Sequence, residues 1–322
     1  SYTMQKKFIT NLGFLLVLNF LIKPFYILGI DAEIINRVGA ETYGVYFTLF
    51  NFSFLFNIVL DLGINNYSTT TLAKSEHLLA KFFSRLLSLK VLLLGVYVLF
   101  TLLMGLVWGY SNYEIKLLLL LVLNQGIVAL IMYLRSNLSG VQLFFKDSIV
   151  SVLDRFLMIF ICSVLLWGGF TNKPFEIEWF IYAQTVSYCI TLLLALFWVW
   201  KEAAFIKLKF DNIFSLAILK QSLPYALLVL LMSFYYRSDS VMLQKMLEDG
   251  SRQAGYYAQA YRFFEAGNMV AYLFAVLLLP IFSKMIKLNQ SLVGIVGISF
   301  KIVFSGAIIL SVMCFQFGEE IL

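Results

Sequence analysis

The chain has 322 residues, of which 61% are hydrophobic, 17% aromatic and only 13% charged, with a mean hydropathy of +0.88. Soluble globular domains run at about 45–50% apolar and about 25% charged residues, so a water-soluble fold is excluded and an all-α, polytopic transmembrane helix bundle is expected. The formal charge of +6 follows from the placement of Lys and Arg between apolar runs; it gives no reason to expect a nucleic-acid partner, and membrane lipids are the expected surroundings.

In chain order, the apolar runs predict nine spans at about 8–30, 43–64, 86–108, 115–134, 149–170, 179–200, 223–247, 254–281 and 291–314. Each is near the ~20 residues that cross a ~30 Å hydrocarbon core. Lys6 and Lys7 precede the first run as in a signal peptide, but the run is too long and lacks a small-residue cleavage site. It therefore reads as a retained helix, with Met4 as the expected natural start. Pro24 is predicted to kink this helix, because it removes a backbone donor and crowds the preceding turn. NNYSTTT at 65–71 reads as a turn and cap after the second span. His77 falls in the same polar loop, beside Lys74 and Glu76, and reads as a solvated side chain. Asn124 and Gln125 in the fourth span are expected to hydrogen-bond between helices. Around 201–222 lies the longest connection, where EAAFIKLKFDNI is expected to form a short interfacial segment. Cys162, Cys189 and Cys314 sit in separate apolar runs without metal-ligand spacing. They read as small apolar side chains, and no metal or cofactor is expected.

The connections divide by charge. One side carries fourteen basic residues: Lys6, Lys7, Lys74, Lys81, Arg85, Arg135, Lys146, Arg155, Lys201, Lys207, Lys209, Lys220, Lys284 and Lys287. The other carries five, Arg37, Lys116, Lys173, Lys245 and Arg252, and collects the acids Asp31, Glu33, Glu41, Glu114, Glu176, Glu178, Glu248, Asp249, Glu319 and Glu320. The positive-inside rule then predicts a cytoplasmic N-terminus and outward-facing acidic loops.

An internal repeat is visible. VGAETYGVYFTLFNF (38–52), which leads into the second span, resembles EDGSRQAGYYAQAYRFF (248–264), which leads into the eighth. Aligning Gly44 with Gly255 gives an offset of 211 residues, which also sets Leu12 on Leu223 at the starts of the first and seventh spans. Six spans separate equivalent helices, so two parallel six-helix repeats are expected, residues 1–211 and 212–322, the second incomplete by about three spans.

The stretch Asp239-Ser-Val-Met242-Leu243, the run Gly255-Tyr-Tyr-Ala-Gln-Ala-Tyr261-Arg262, the closing Pro280-Ile-Phe-Ser283 and Asp61-Leu62-Gly63 together resemble the polysaccharide flippases of the multidrug/oligosaccharidyl-lipid/polysaccharide superfamily. Many of those relatives carry a basic residue after the aspartate, where this chain has Ser240 and instead places Arg237 two positions earlier. The resemblance implies a bacterial inner-membrane protein that moves undecaprenyl-diphosphate-linked oligosaccharide outward by alternating access. A lipid-linked oligosaccharide is then the expected ligand, with glycan-assembly membrane proteins as further partners.

Charges inside the spans narrow the site. A mid-bilayer charge costs about 2.5–3.5 kcal/mol on insertion scales and needs a partner, a wet cavity or the interface. Asp61, Lys90 and Lys301 lie near the ends of their spans on the basic side, where snorkelling suffices. At ~1.5 Å per residue, Lys23, Arg237 and Arg262 fall in one layer, ~11–15 Å from the acidic ends of three different helices. One reading makes these three cations ligands for a diphosphate, with Tyr26, Tyr235, Tyr236 and Tyr261 against the sugars. The other makes them members of a helix-locking network, pairing Arg237 with Glu265 or Asp239 with Arg262. Arg262 and Glu265, three residues apart, are able to neutralise each other, whereas Arg237 and Asp239, two apart, are not. A cation-coupled multidrug exporter would favour acids at this depth. A glycan polymerase or ligase would need a large polar outer loop, and the outer connections are short. Neither of these is expected to apply, and no enzymatic chemistry is expected.

Overall fold

A computed structural model of the chain describes residues 17–65, 68–69, 72, 79–141, 143–169, 174–203, 212–265, 267–268 and 291–321. His77, residues 204–211 of the 201–222 connection, part of NNYSTTT, the start of the first span, the end of the eighth and the Pro280–Ser283 motif lie outside the described residues. Those described are helical, with no strand among them.

Helix α1 covers residues 17–38: an α-helical stretch at 17–25, a π-helical turn Tyr26–Asp31, and a further α-helical stretch Ala32–Val38. The π turn begins two residues after Pro24. The first helix thus runs past residue 30, and Asp31 belongs to it instead of to a loop. Gly39, with φ +83°, turns the chain into α2, Ala40–Leu55. Asn57 N–H bonds the Phe54 carbonyl, while the Ser53 carbonyl it would otherwise meet accepts from the Tyr97 hydroxyl at 2.8 Å. The predicted second span is therefore broken, and resumes as the short α3, Ile58–Asp61. Leu62 (φ +45°) and Gly63 (φ +80°) then reverse the chain through two left-handed residues, which accounts for a glycine at that point.

α4 (Leu79–Val107) and α5 (Asn112–Gly140) form an antiparallel pair across a tight turn. The turn is made by Gly109 at φ +77° and by a capping box, in which Glu114 N–H donates to the Ser111 hydroxyl and Ser111 N–H to the Glu114 carboxylate. α6 (Phe144–Trp167) and α7 (Ile177–Ala203) follow, then α8 (Asn212–Met246), α9 at residues 250–265, and α10 (Val293–Ile321). α8 has 35 residues, about 52 Å at ~1.5 Å each. It therefore begins well before the predicted seventh span and absorbs part of the long connection.

Five helices among the described residues are long and apolar enough to cross a membrane: Phe83–Val107, Asn112–Gly140, Phe144–Trp167, Ile177–Glu202 and Val296–Gly318. The protein is a multi-pass, all-α membrane bundle. α5, packed on α7 and α4, is central, and α2 is held between α5 and α8.

Two apolar clusters stack along the bundle. One, toward the acidic end, is built from Ile34, Tyr43, Leu49, Leu118, Met158, Phe180 and their neighbours, and takes in Val241 of α8 and Ala258 of α9. The other, toward the basic end, contains Ile64, Phe83, Tyr133, Tyr188, Val199 and Ile218. Polar residues concentrate where the clusters meet, at Asn19, Asn124, Gln125, Ser151, Gln184 and Ser187, all buried. Asn124 bonds the Ile181 carbonyl (3.3 Å) and accepts from Thr185 (2.7 Å), which ties α5 to α7 as expected for a polar residue in a bundle.

Candidate functional site

Beside the first cluster, several helices contribute charges to one neighbourhood built from distant parts of the chain: Asp31 of α1, Arg237 of α8, and Arg262 and Glu265 of α9. On α8, Arg237 donates to the Asn51 side-chain oxygen of α2 at 2.9 Å, lies 3.6 Å from the Glu265 carboxylate of α9, and stacks 4.8 Å from the Phe54 ring centroid. The Asn51 amide nitrogen donates to the Ser240 hydroxyl at 2.9 Å. A single uncharged side chain therefore holds two positions of α8. Its neutrality and its aromatic surroundings hide it from any search of the sequence for charge.

Arg262 of α9 has a different environment. It is 7% exposed, and neither Nε nor Nη1 has a hydrogen-bond partner among the described residues. Asp31 is within its electrostatic reach, but the Asp31 carboxylate is occupied by the Tyr43 hydroxyl, 2.8 Å from each oxygen. The two intramembrane pairings weighed from sequence therefore part company: Arg237 does meet Glu265, whereas Asp239 does not meet Arg262. Asp239 is exposed and accepts from the Tyr257 hydroxyl at 3.0 Å. Nor does Glu265 neutralise Arg262 across one helical turn, because Arg237 lies nearer to it.

Lys23 is partly buried on α1, and the charges within its reach are Arg155, Arg135 and Asp154. The Arg155 guanidinium stacks 4.9 Å from the centroid of the buried Tyr26 ring and also acts on Glu265 and Asp31. Arg155 therefore lies against Tyr26 and within electrostatic reach of Lys23, Asp31 and Glu265. Sequence reading counted it with the loops of the basic side. It lies eleven residues into α6, which begins at Phe144, or ~16 Å along the helix. That depth was the signal to find it.

Of the tyrosines, Tyr261 packs edge-on to Phe47 at 5.9 Å and beside Tyr257 at 5.7 Å, next to the charged level. Tyr235 and Tyr236 are exposed and lie against each other.

Asp61 lies apart, toward the basic end. There Lys90 donates to Asp61 at 2.7 Å and to the Leu60 carbonyl at 2.8 Å, with the Tyr133 ring 5.9 Å away. The Lys90 side chain is 1% exposed, so it does not snorkel; it is a buried cation held by the broken end of α3. Lys301, by contrast, is exposed on α10.

The arrangement presents two neighbouring arginines, one paired with Glu265 and one with open donors, beside Tyr261, while Lys23 stands apart with Arg155, Arg135 and Asp154. It is suited to binding an anion with several oxygens. No curated protein sequence and no solved structure matches the chain significantly. The profile of the polysaccharide biosynthesis protein family matches residues 9–286, and the chain belongs to that family of membrane proteins.

Proposed function

We propose that the protein is a flippase that carries undecaprenyl-diphosphate-linked oligosaccharide across the bacterial inner membrane by alternating access, as a transporter and not an enzyme. The observation that carries this reading is Arg262: a buried arginine whose Nε and Nη1 are without partners. An unpaired cation is costly at this depth, and a diphosphate offers the planar, bidentate acceptor that a guanidinium fork fits. Arg237 supplies a second guanidinium, released by Glu265 when a stronger anion arrives. Lys23 adds a point charge by way of the Arg155 neighbourhood. Tyr26 and Tyr261 border the site, and Tyr236 offers an exposed ring to the sugars. The two repeats proposed from the sequence, residues 1–211 and 212–322, would rock about this level, with the N-terminus in the cytoplasm and other glycan-assembly membrane proteins on either side of the step.

The excess of arginine and lysine over acid at this level supports an anionic cargo over the cationic drugs of a multidrug exporter. The test is deletion of the gene followed by analysis of lipid-linked intermediates. Cytoplasmic accumulation of undecaprenyl-linked sugars is expected, restored to normal by the wild-type gene and not by Arg262→Ala at equal membrane levels. Normal translocation with a polymerisation defect would overturn the reading in favour of a polymerase or ligase.

A further inference from the structure

Gly44 of α2 and Gly255 of α9 meet backbone to backbone. A Cβ at Gly44 would fall on the Ser251 carbonyl oxygen, and a Cβ at Gly255 on the Ala40 carbonyl oxygen, with Ala40 Cα 3.0 Å away. Neither glycine has a positive φ. What each supplies is close approach of two helices, as small residues four apart do in membrane bundles, here Ala40 with Gly44 and Ser251 with Gly255.

The contact is reciprocal. Residue 44 meets 251 and residue 255 meets 40, and the offset of 211 residues carries 40 onto 251 and 44 onto 255. Exchanging the two halves of the chain therefore leaves the contact unchanged, as at a two-fold, self-complementary interface. Below it the same seam continues between α2 and α8. Buried Thr48 donates to the Ser240 carbonyl at 3.3 Å, and Asn51 spans Ser240 and Arg237 at 2.9 Å each. At the rim, Gln244 bonds Glu114 at 3.2 Å.

We infer that this paired-glycine seam is the gate at the acidic end of the bundle, closed in this structure, and that Asn51 is the positioning residue that links it to Arg237. An anion of the diphosphate class that engages Arg237 takes it from the Asn51 oxygen, loosens the hold of Asn51 on α8, and lets the seam part. The purpose of the gate rests on the proposed transport function; its geometry does not.

The experiment places a cysteine at Thr48, one turn below Gly44, in a variant with Cys162, Cys189 and Cys314 replaced by alanine. A membrane-impermeant maleimide is applied from the side facing the acidic end. Thr48→Cys is expected to react slowly with both glycines present and at least ten-fold faster with Gly44→Val or Gly255→Val. Gly255→Ala should give an intermediate rate, and it covers the case in which a valine variant fails to reach the membrane. Undecaprenyl diphosphate added to the bilayer should accelerate labelling in the glycine-intact protein and have no effect once Asn51→Leu is introduced. Fast labelling of the intact protein, or continued protection in well-inserted glycine variants, would overturn the gate. Acceleration that survives Asn51→Leu would overturn the link. Since the glycine comparison uses no glycan, normal lipid-linked sugars in the deletion strain would sink the substrate and leave the gate standing.

Discussion

Lys90 and Arg262 are both buried cations in apolar helices, and they are treated in opposite ways. Lys90 is met by a carboxylate, a backbone carbonyl and an aromatic face, whereas Arg262 keeps Nε and Nη1 open among the described residues. The first arrangement satisfies a charge with the chain's own groups and joins the broken second span to α4. The second leaves a charge unsatisfied where a ligand is proposed to complete it. A buried charge alone is thus no mark of function; whether its donors are filled from within separates the two roles.

The comparison is broken most directly by removing the partner of Lys90. Asp61→Leu leaves a buried ammonium unpaired and is expected to destabilise the protein by about 3–5 kcal/mol, read as a lower melting temperature in detergent and lower membrane levels. Lys90→Met should cost less, because Asp61 is one-third exposed and keeps the Asn65 N–H as a donor. The double variant should recover most of the loss. Equal losses from the two single variants would contradict the asymmetry in burial.

Arg262→Met sharpens the other side. Its melting temperature should match or exceed that of the wild type, since an uncompensated buried charge is removed, while export of the surface glycan falls at least ten-fold. A loss of stability as large as that of Asp61→Leu would show that Arg262 is held after all. Arg237→Gln is intermediate, losing a charge-assisted bond, a carboxylate partner and a ring contact. A cost of about 2 kcal/mol is expected, together with weaker export. Glu265→Gln should leave stability nearly unchanged and tighten binding of undecaprenyl diphosphate, because a competitor for Arg237 is gone; weaker binding would mean that Glu265 assists the ligand. The smallest effect on export is that of Asn124→Leu, which loses two interhelical hydrogen bonds, about 1 kcal/mol of stability at roughly 0.6 kcal/mol each in a membrane bundle, with export intact.

The aromatic and glycine motif around Gly44 and Gly255 shows how sequence and structure divide the information. Their similarity was legible as a repeat signal. That the two glycines face each other, and that Asn51 holds two positions of α8 at once, was not legible, because close approach depends on which helices are adjacent. Arg155 was missed for a related reason. Counting charges by side of the membrane carries no depth, so Arg155 was assigned to a connection although it lies six residues inside the predicted 149–170 span; α6 begins at Phe144, which sets it deeper still.

By itself the sequence determined that this is an all-α membrane bundle, where most of its spans lie, and that intramembrane cations outnumber what a lipid-facing surface tolerates. Hydropathy is a sum of single-residue transfer energies, so it can be read without knowing any neighbour. Only the tertiary structure decided that Arg237 meets Glu265 while Asp239 does not meet Arg262, that Lys90 is buried and not snorkelling, and that Arg262 has open donors. Pairing in a low-dielectric interior falls off within a few ångströms and depends on helix rotation and contact, quantities that no single-helix pattern contains.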